Sequence, residues 1–242
     1  MKILGIRYDN ITFDEAVQKL LYLLKSNNKA TSLFLNADGV YKAQRDPEYS
    51  RIINSIELVL SDGIGLRLIT RIFGENMREN CNGTDLSPIL MKCAAKQGFK
   101  IFFLGGKTGI AEKAAENMRV QIPNIQIVGT HNGYFKSDEE VIARINESGA
   151  DILFVAMGVP IQEKWIARNR QKLNPRLCLG VGALLDYLSG SIPRAPKMMR
   201  ILHLEWLWRI FIEPKRMFKR YIIDGAKLFG LVLKYKLRPG RV

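Results

Sequence analysis

The sequence predicts an α/β fold in which a Rossmann-like, largely parallel sheet is flanked by helices and followed by a basic helical appendage. Short apolar runs alternate with amphipathic stretches as far as residue 193, a rhythm typical of parallel βαβ units. Pro193 and Pro196 then interrupt the chain, and the remainder has helical periodicity. We therefore expect an α/β catalytic domain in residues 1–193 and a helical appendage in residues 194–242.

Seven short segments rich in β-branched or apolar residues are predicted to be strands. They are residues 2–7, 31–36, 57–60, 100–104, 125–129, 151–156 and 176–180. Helices are predicted between them. The first begins at a capping box formed by Thr12 and Glu15, and others cover residues 84–97, 108–121, 138–148 and 160–173. Ligands of such sheets bind at the carboxyl ends of the strands, so the loops there are the first place to look for a site.

The positive charge of the chain is concentrated at its end. The net charge of the 242 residues is +14. Residues 194–242 contain 13 lysines and arginines against 3 acidic residues, which leaves +10 in the appendage and +4 in the rest. Aromatic rings are interleaved with these cations in the stretch EWLWRIFIEPKRMFKRY, residues 205–221. This pattern predicts an anionic partner, which could be nucleic acid, phospholipid or a phosphorylated substrate.

Several absences narrow the classes of function that we expect. The three cysteines have no metal-type spacing, and the chain has only two histidines, His131 and His203, so a zinc site is not expected. No segment offers 18 uncharged apolar residues, so we expect no transmembrane helix, and we expect reduced thiols in the cytoplasm. The chain contains no Asp-x-Asp triplet, which predicts that any transfer from a nucleotide-sugar does not depend on a metal.

Polar or glycine-rich loops follow four of the predicted strands, as in a nucleotide or phosphosugar site. The stretches are Leu35-Asn36-Ala37-Asp38-Gly39, Ser61-Asp62-Gly63-Ile64-Gly65, Leu104-Gly105-Gly106-Lys107-Thr108-Gly109 and Gly158-Val159-Pro160-Ile161-Gln162-Glu163. The third is not a P-loop, because position 101 is isoleucine rather than glycine. It could bind a phosphate at a helix N-terminus or simply form a tight turn.

Asp62 and the Gln162-Glu163 pair each have two interpretations. Asp62 could cap a helix or turn, or its carboxylate could be a general base at the mouth of the sheet, with Asn36 and Asp38 nearby. Glu163 could favour the helix macrodipole, or the Gln162-Glu163 pair could bind hydroxyl groups of a sugar or groups of a base.

A series of motifs in a fixed order carries a resemblance over nearly the whole chain. They are Asn36-Ala37, Ser61-Asp62-Gly63-Ile64-Gly65, Gly83-Thr84-Asp85-Leu86, Phe103-Leu104-Gly105-Gly106, Asn132-Gly133-Tyr134-Phe135, Gly158-Val159-Pro160-Ile161-Gln162-Glu163-Lys164-Trp165, Gly180-Val181-Gly182, Arg194-Ala195-Pro196, Glu205-Trp206-Leu207-Trp208-Arg209 and Glu213-Pro214-Lys215-Arg216. Together they resemble the WecG/TagA/CpsF family, glycosyltransferase family 26. The resemblance implies inverting transfer of a sugar, in the best-known members N-acetylmannosamine or its uronic acid, from UDP to N-acetylglucosamine on undecaprenyl diphosphate.

The resemblance also implies a cellular place and a set of site residues. The enzyme would be a cytoplasmic protein, peripheral on the inner face of the membrane, that builds wall teichoic acid, enterobacterial common antigen or capsular and exopolysaccharides without a cofactor or metal. Asp62 would be the base. The expected substrate-binding residues are Asn36, Gly63, Gly83, Asp85, Gly105, Gly106, Gly158, Gln162, Glu163, Arg194, Arg209, Arg216 and Arg220. For the oligomeric state there are two alternatives, a homo-oligomer and a membrane-dependent monomer.

Three positions depart from the pattern that the family usually shows. Phe34 stands where the family usually carries threonine, and Asn80 stands where arginine is common. Lys219, beside Arg220, replaces a frequent arginine, which keeps the charge but loses the bidentate fork. One phosphate or acceptor contact is therefore expected to be supplied differently.

The residues also suggest how the two parts of the chain would cooperate. Arginines of the appendage and the glycine loops would stabilise the leaving diphosphate in place of a metal, and the aromatic face of the appendage would rest at the membrane surface. Two rival functions are a nucleic-acid-binding protein, favoured by the basic tail, and a dinucleotide-dependent oxidoreductase, which would lack its glycine fingerprint here.

Overall fold

The computed structural model describes residues 1–26, 28–202 and 204–237 and confirms the α/β prediction. Six parallel strands form one sheet in the order β4-β3-β8-β7-β5-β6. The strands of this sheet are β3 (Ala30–Leu35), β4 (Leu58–Ser61), β5 (Lys100–Gly105), β6 (Gln126–His131), β7 (Ile152–Ala156) and β8 (Leu177–Gly180). Part of the predicted appendage lies outside the described residues. This part consists of His203, one of the two histidines, and residues 238–242.

The first predicted strand, residues 2–7, is wrong as a single strand. The structure instead has two short antiparallel strands, β1 (Lys2–Ile3) and β2 (Ile6–Arg7). Leu4 and Gly5 join them with φ angles of 47° and 77°, the left-handed conformation that tight hairpin turns require. The turn was not predicted because apolar residues flank it, and Gly5 is the one turn signal in this stretch of the sequence.

Helices surround the sheet, and those that the periodicity predicted are present. The capping box is formed as expected, because Glu15 N donates to Thr12 Oγ1 at 3.2 Å and Thr12 N donates to Glu15 Oε2 at 3.0 Å. The helices of the α/β body are α1 (Phe13–Lys25), α2 (Ala37–Ala43), α3 (Pro47–Ser55), α4 (Ile64–Ile72), α5 (Gly83–Lys96), α6 (Ile110–Gln121), α7 (Asp138–Glu147), α8 (Ile161–Asn169) and α9 (Leu184–Leu188).

Alternating side chains of the strands build a core on each face of the sheet. Phe103 and Phe154 pack with helices α1, α5, α6 and α9 on one face. On the other face, Phe102 and Leu153 pack with α7 and α8, while Leu33 packs with α2, α3 and α4. Strands buried on both faces read as continuous apolar runs, which explains why they were found from the sequence.

The C-terminal segment is helical, as predicted, and packs against the body. It contains α10 (Lys197–Ile201), α11 (Glu205–Ile212), α12 (Pro214–Phe218) and α13 (Gly225–Lys236), with a π-helical stretch at Lys219–Asp224. Leu228 and Val232 of α13 are buried in the core cluster that includes side chains of α2 and α4. Within the described residues, no helix has the length and hydrophobicity needed to cross a bilayer.

Candidate functional site

A cleft of about 600 Å³ opens at the carboxyl ends of β3, β4, β7 and β8 and is covered by the C-terminal helices. The body contributes predicted site residues to its lining: Asn36, Asp62, Gly63, Gly83, Gly158 and Gln162. The C-terminal segment contributes Arg209, Arg216 and Arg220. The remaining predicted residues, which are Asp85, Gly105, Gly106, Glu163 and Arg194, are outside this lining.

Asp62 occupies the loop that connects β4 to α4. Its backbone N–H donates to the carbonyl of Leu35 at 2.8 Å, which fixes the loop to the neighbouring strand β3. The cap of α4 is Gly63, with a φ of 87°, so Asp62 is not the N-cap residue. Among the described residues, no side chain or backbone group forms a hydrogen bond with the Asp62 carboxylate, and Asp62 lines the cleft.

The surroundings of Asp62 favour a carboxyl group that takes up protons more readily than usual. Burial raises the pKa of Asp62 to about 6, while the positive charges of Arg209 and Arg220 oppose this rise. Glu205 and Asp85 add to the rise in pKa by repulsion. A general base works best when its pKa lies near the working pH, so Asp62 has the position and the basicity for proton abstraction.

Gln162 holds two glycine loops of the cleft together. Its Oε1 accepts hydrogen bonds from the backbone N–H of Gly158 at 3.2 Å and from that of Gly182 at 3.0 Å. Its Nε2 donates to Oε1 of Glu163 at 2.7 Å, so the carboxyl behind it fixes the orientation of the amide. Glu163 is 2% exposed and acts on the cleft through Gln162 rather than by lining it.

Replacing Glu163 by glutamine should change how stability depends on pH. Burial raises the pKa of Glu163 to about 7, because its hydrogen bonds do not offset the loss of water. The folded state thus holds a proton that the unfolded state releases near pH 4.5, so the free energy of unfolding falls as pH rises from about 4.5 to about 7. Glu163→Gln should remove a fall of about 3 kcal/mol in the free energy of unfolding, measured by denaturant unfolding between about pH 4 and pH 8.

The exposed Glu147 on α7 provides the control for this substitution. Glu147→Gln should leave the pH profile of unfolding as it is in the wild type. If Glu163→Gln also leaves the profile unchanged, the Glu163 carboxyl is charged in the folded protein and its assignment as a neutral hydrogen-bonding partner is wrong.

Gly105 and Gly106 allow close contact between loops at the end of β5. A Cβ at Gly105 would lie 2.3 Å from the carbonyl oxygen of Ala156, and one at Gly106 would lie 2.6 Å from Ile110. Gly106 N donates to the Ala156 carbonyl at 3.1 Å, and its own carbonyl accepts from Gly133 N at 2.9 Å. These close contacts explain why both positions are occupied by glycine. Neither glycine lines the cleft.

Three arginines of the C-terminal segment reach the cleft with different partners. Arg209 donates from Nε to the hydroxyl of Tyr187 at 2.5 Å, and its guanidinium lies 5.1 Å from the centre of that ring. Arg220 Nε lies 3.4 Å from Oδ2 of Asp38, and Arg216 pairs with Glu213. Arg209 is thus held against the body by a neutral partner, which leaves its positive charge available to an anion in the cleft.

Arg194 anchors the C-terminal segment rather than lining the cleft. Its Nη2 lies 2.6 Å from Oδ1 of Asp85, at the start of α5, and its Nε lies 3.8 Å from Oε1 of Glu205 on α11. Asp85 also accepts from Asn82 Nδ2 at 2.7 Å, so each of its two carboxylate oxygens has a partner. Both residues therefore act here by joining α5 to α11.

The whole chain is similar to known glycosyltransferases. The model of the glycosyl transferase WecG/TagA/CpsF family matches residues 1–242. The chain belongs to this family. A similar protein is the N-acetylglucosaminyldiphosphoundecaprenol N-acetyl-beta-D-mannosaminyltransferase of Bacillus spizizenii, which is 30% identical over 213 residues, 88% of this chain and 82% of the relative. The resemblance stated from the motifs is confirmed.

The positions that depart from the usual WecG/TagA/CpsF pattern all line the cleft. Asn80 Oδ1 accepts from the N–H of Gly63 at 2.7 Å and so holds the loop next to Asp62. The Phe34 ring packs against Gly83, where a Cβ would lie 3.0 Å from it. Lys219 adds a cation to the lining. Asn80 thus fixes the backbone and supplies no charge to the cleft.

The sequence interpretation missed other residues of the cleft. Tyr187 and Trp206 line it, and so does Lys42, whose Nζ lies 2.9 Å from Oδ2 of Asp38. Tyr187 had no signal, because it lies in the short α9 that the periodicity did not show. Among the described residues, no group of three histidine, cysteine or acidic side chains is placed to hold a metal ion.

Proposed function

We propose that the chain is an inverting glycosyltransferase that moves N-acetylmannosamine from UDP to N-acetylglucosamine on undecaprenyl diphosphate. The observation that carries the proposal is the unpartnered Asp62 carboxylate in a cleft whose lining also includes three arginines of the C-terminal segment. The name of the Bacillus spizizenii relative supports both the sugar and the acceptor. UDP as the carrier rests on the resemblance and on the cationic lining.

Asp62 is the general base in this mechanism. It removes the proton from the acceptor hydroxyl while the hydroxyl oxygen attacks the anomeric carbon on the face opposite UDP. The new glycosidic bond forms as the bond to the UDP oxygen breaks, and the electron pair leaves with the diphosphate. A single displacement inverts the anomeric centre, and a well-placed base contributes about 10²–10⁴-fold to the rate.

The negative charge that develops on the diphosphate has to be stabilised inside the cleft. Arg209, Arg216, Lys219 and Arg220 all line it, whereas Lys42 is the only cation that the described residues of the body contribute. Fixed cations in a partly dry site can stabilise a leaving phosphate without any reorganisation at the moment of reaction. We therefore propose that the reaction does not require a metal and that Arg209 is the principal partner of the diphosphate.

The two parts of the chain would have separate tasks. Residues 1–193 form the catalytic α/β domain, and residues 194–242 complete the site and associate with the inner face of the cytoplasmic membrane. Exposed apolar side chains on the C-terminal helices, among them Phe211, Phe218 and Phe229, support this association. The product would enter synthesis of wall teichoic acid or another surface polysaccharide. No cofactor takes part.

A screen of donors tests the proposed function. The purified enzyme is incubated with a synthetic lipid-diphosphate-linked N-acetylglucosamine and with UDP-N-acetylmannosamine, its uronic acid or UDP-N-acetylglucosamine, and UDP release is measured. We expect acceptor-dependent release from UDP-N-acetylmannosamine. Release from none of the donors, or release that does not depend on the acceptor, would contradict the proposal.

A further inference from the structure

A second depression of about 690 Å³ lies between α2 and α13, next to the cleft. Its lining includes Tyr41, Gln44 and Arg45 from the body and Lys227, Lys234 and Tyr235 from α13. We refer to it as the α2–α13 groove. Tyr41 lines both the groove and the cleft, so the two sites share a wall. The mechanism proposed above does not use the groove.

The charge of the groove is positive and uncompensated. Lys227 and Lys234 are seven residues apart, which places them on the same side of α13, and Arg45 faces them from the end of α2. Arg45 donates from Nη1 to the Tyr41 hydroxyl at 2.7 Å, which holds its guanidinium at the groove. In the described part of the chain, none of these three cations lies within ion-pair distance of a carboxylate. Such a site favours an anion that offers several oxygen acceptors, as a phosphate does.

An apolar stripe extends along α13 from the turn before it to the residue after it. Its C-terminal half adjoins the groove, because Leu233 and Leu237 each lie three residues from a residue of the groove lining. Ile222, Phe229, Leu233 and Leu237 recur at spacings of seven and four residues, and each is at least 41% exposed. Leu228 and Val232, on another side of the helix, are buried against the body. The stripe is therefore not needed for docking of α13, and it remains in contact with solvent next to the groove.

The groove cations and the apolar stripe together indicate which kind of molecule carries the phosphate. A soluble phosphate or a nucleic acid would use the cations and leave the apolar stripe in water. A phospholipid would use both, because its headgroup phosphate can lie among Arg45, Lys227 and Lys234 while its acyl chains lie against the stripe. Leu228 of the same helix lines the cleft, so a lipid in the groove would fix the height of the cleft above the membrane.

We propose that the α2–α13 groove binds the phosphate headgroup of an anionic phospholipid. This inference rests on the proposed membrane association and gives it a defined site. It predicts that binding to membranes depends on the two groove lysines far more than on other lysines of the same segment. Lys215 and Lys236 are exposed and line neither the groove nor the cleft, so they provide a matched pair with the same charge.

The test compares K227Q/K234Q with K215Q/K236Q by co-sedimentation with phosphatidylcholine vesicles that contain or lack phosphatidylglycerol. We expect the wild type to bind the anionic vesicles. The groove variant should bind them roughly tenfold more weakly, and the control variant should lose less than about threefold. All four lysines are exposed, and thermal unfolding verifies that both variants are folded.

The other outcomes each reject a distinct part of the inference. Equal losses in the two double variants show attraction by net charge and overturn the groove as a site, whereas membrane association stands. A wild type that binds neither vesicle contradicts membrane association itself. If inorganic phosphate raises the unfolding temperature only when Lys227 and Lys234 are present, and vesicles bind both variants equally, the groove takes free phosphate. Lysine-dependent binding of duplex DNA that exceeds vesicle binding at the same salt would assign the groove to nucleic acid.

Discussion

Replacing Asp62 by asparagine is expected to lower turnover by about 10²–10⁴-fold and to leave UDP binding within a fewfold of the wild type. The amide keeps the size of the side chain but cannot accept the proton of the acceptor hydroxyl. Asp62 forms no hydrogen bond with the described residues through its carboxylate, so the substitution breaks no contact that supports the fold. Turnover is measured by acceptor-dependent UDP release, and UDP binding is measured by calorimetry.

Glu205 offers a control within the same cleft. It is a carboxylate of α11 that lines the cleft and repels Asp62. Its contact with Arg194, at 3.8 Å, is the longer of the two ion pairs that Arg194 forms, so Glu205→Gln should retain most of the activity. The pH profile gives a second readout. Because burial raises the pKa of Asp62 to about 6, kcat/KM should fall as pH decreases through about 6, where the base becomes protonated. Full activity in Asp62→Asn, or its loss in Glu205→Gln alone, would move the role of base to another residue.

Replacing Arg209 by glutamine is expected to have the second-largest effect, a fall of about 10²–10³-fold in kcat. Arg209 lines the cleft and is held by the Tyr187 hydroxyl and ring, so its charge is fixed before the diphosphate begins to leave. In the proposed mechanism, Arg209 makes its main contribution in the transition state, where charge develops on the leaving group. The KM for the donor should therefore change much less than kcat.

Two further variants define the role of Arg209. Arg209→Lys keeps the charge but cannot form two parallel hydrogen bonds to a phosphate, so it should recover only part of the lost rate. Lys215→Gln removes a nearby cation outside the cleft and should leave kcat within a fewfold of the wild type. If Arg209→Gln raises KM and leaves kcat unchanged, Arg209 binds the ground state and does not stabilise the leaving group.

Most strands of the sheet could be predicted from the sequence, because buried parallel strands consist of continuous runs of apolar residues. Six of the seven predicted strands are present within one or two residues at each end. The hairpin at Gly5 was missed because a single glycine within an apolar run is a weak turn signal. The short helices α2, α3, α4 and α9 were not predicted, because each contains fewer than three turns and gives only a weak periodic signal.

The predicted site residues agree with the structure less well than the predicted strands do, because several of them do not line the cleft. The order of the strands brings Asn36, Asp62 and Gln162 to one cleft, as expected for loops at the carboxyl ends of neighbouring strands. The sequence pattern does not show which polar side chains are buried. Glu163 was therefore expected in the cleft, although it lies behind Gln162. The pairing of Arg194 with Asp85 joins residues 109 positions apart, a contact that no local motif reports.

In the proposed mechanism, Asp62 and the cations of the C-terminal segment catalyse transfer of the sugar without a metal. The most direct measurement is acceptor-dependent UDP release from UDP-N-acetylmannosamine by the full chain after chelation with EDTA. The proposed mechanism predicts the same rate with EDTA, with added Mg²⁺ and with neither. A rate that collapses with EDTA and returns with Mg²⁺ would show that a metal ion, and not the arginines around the cleft, carries the charge of the departing diphosphate.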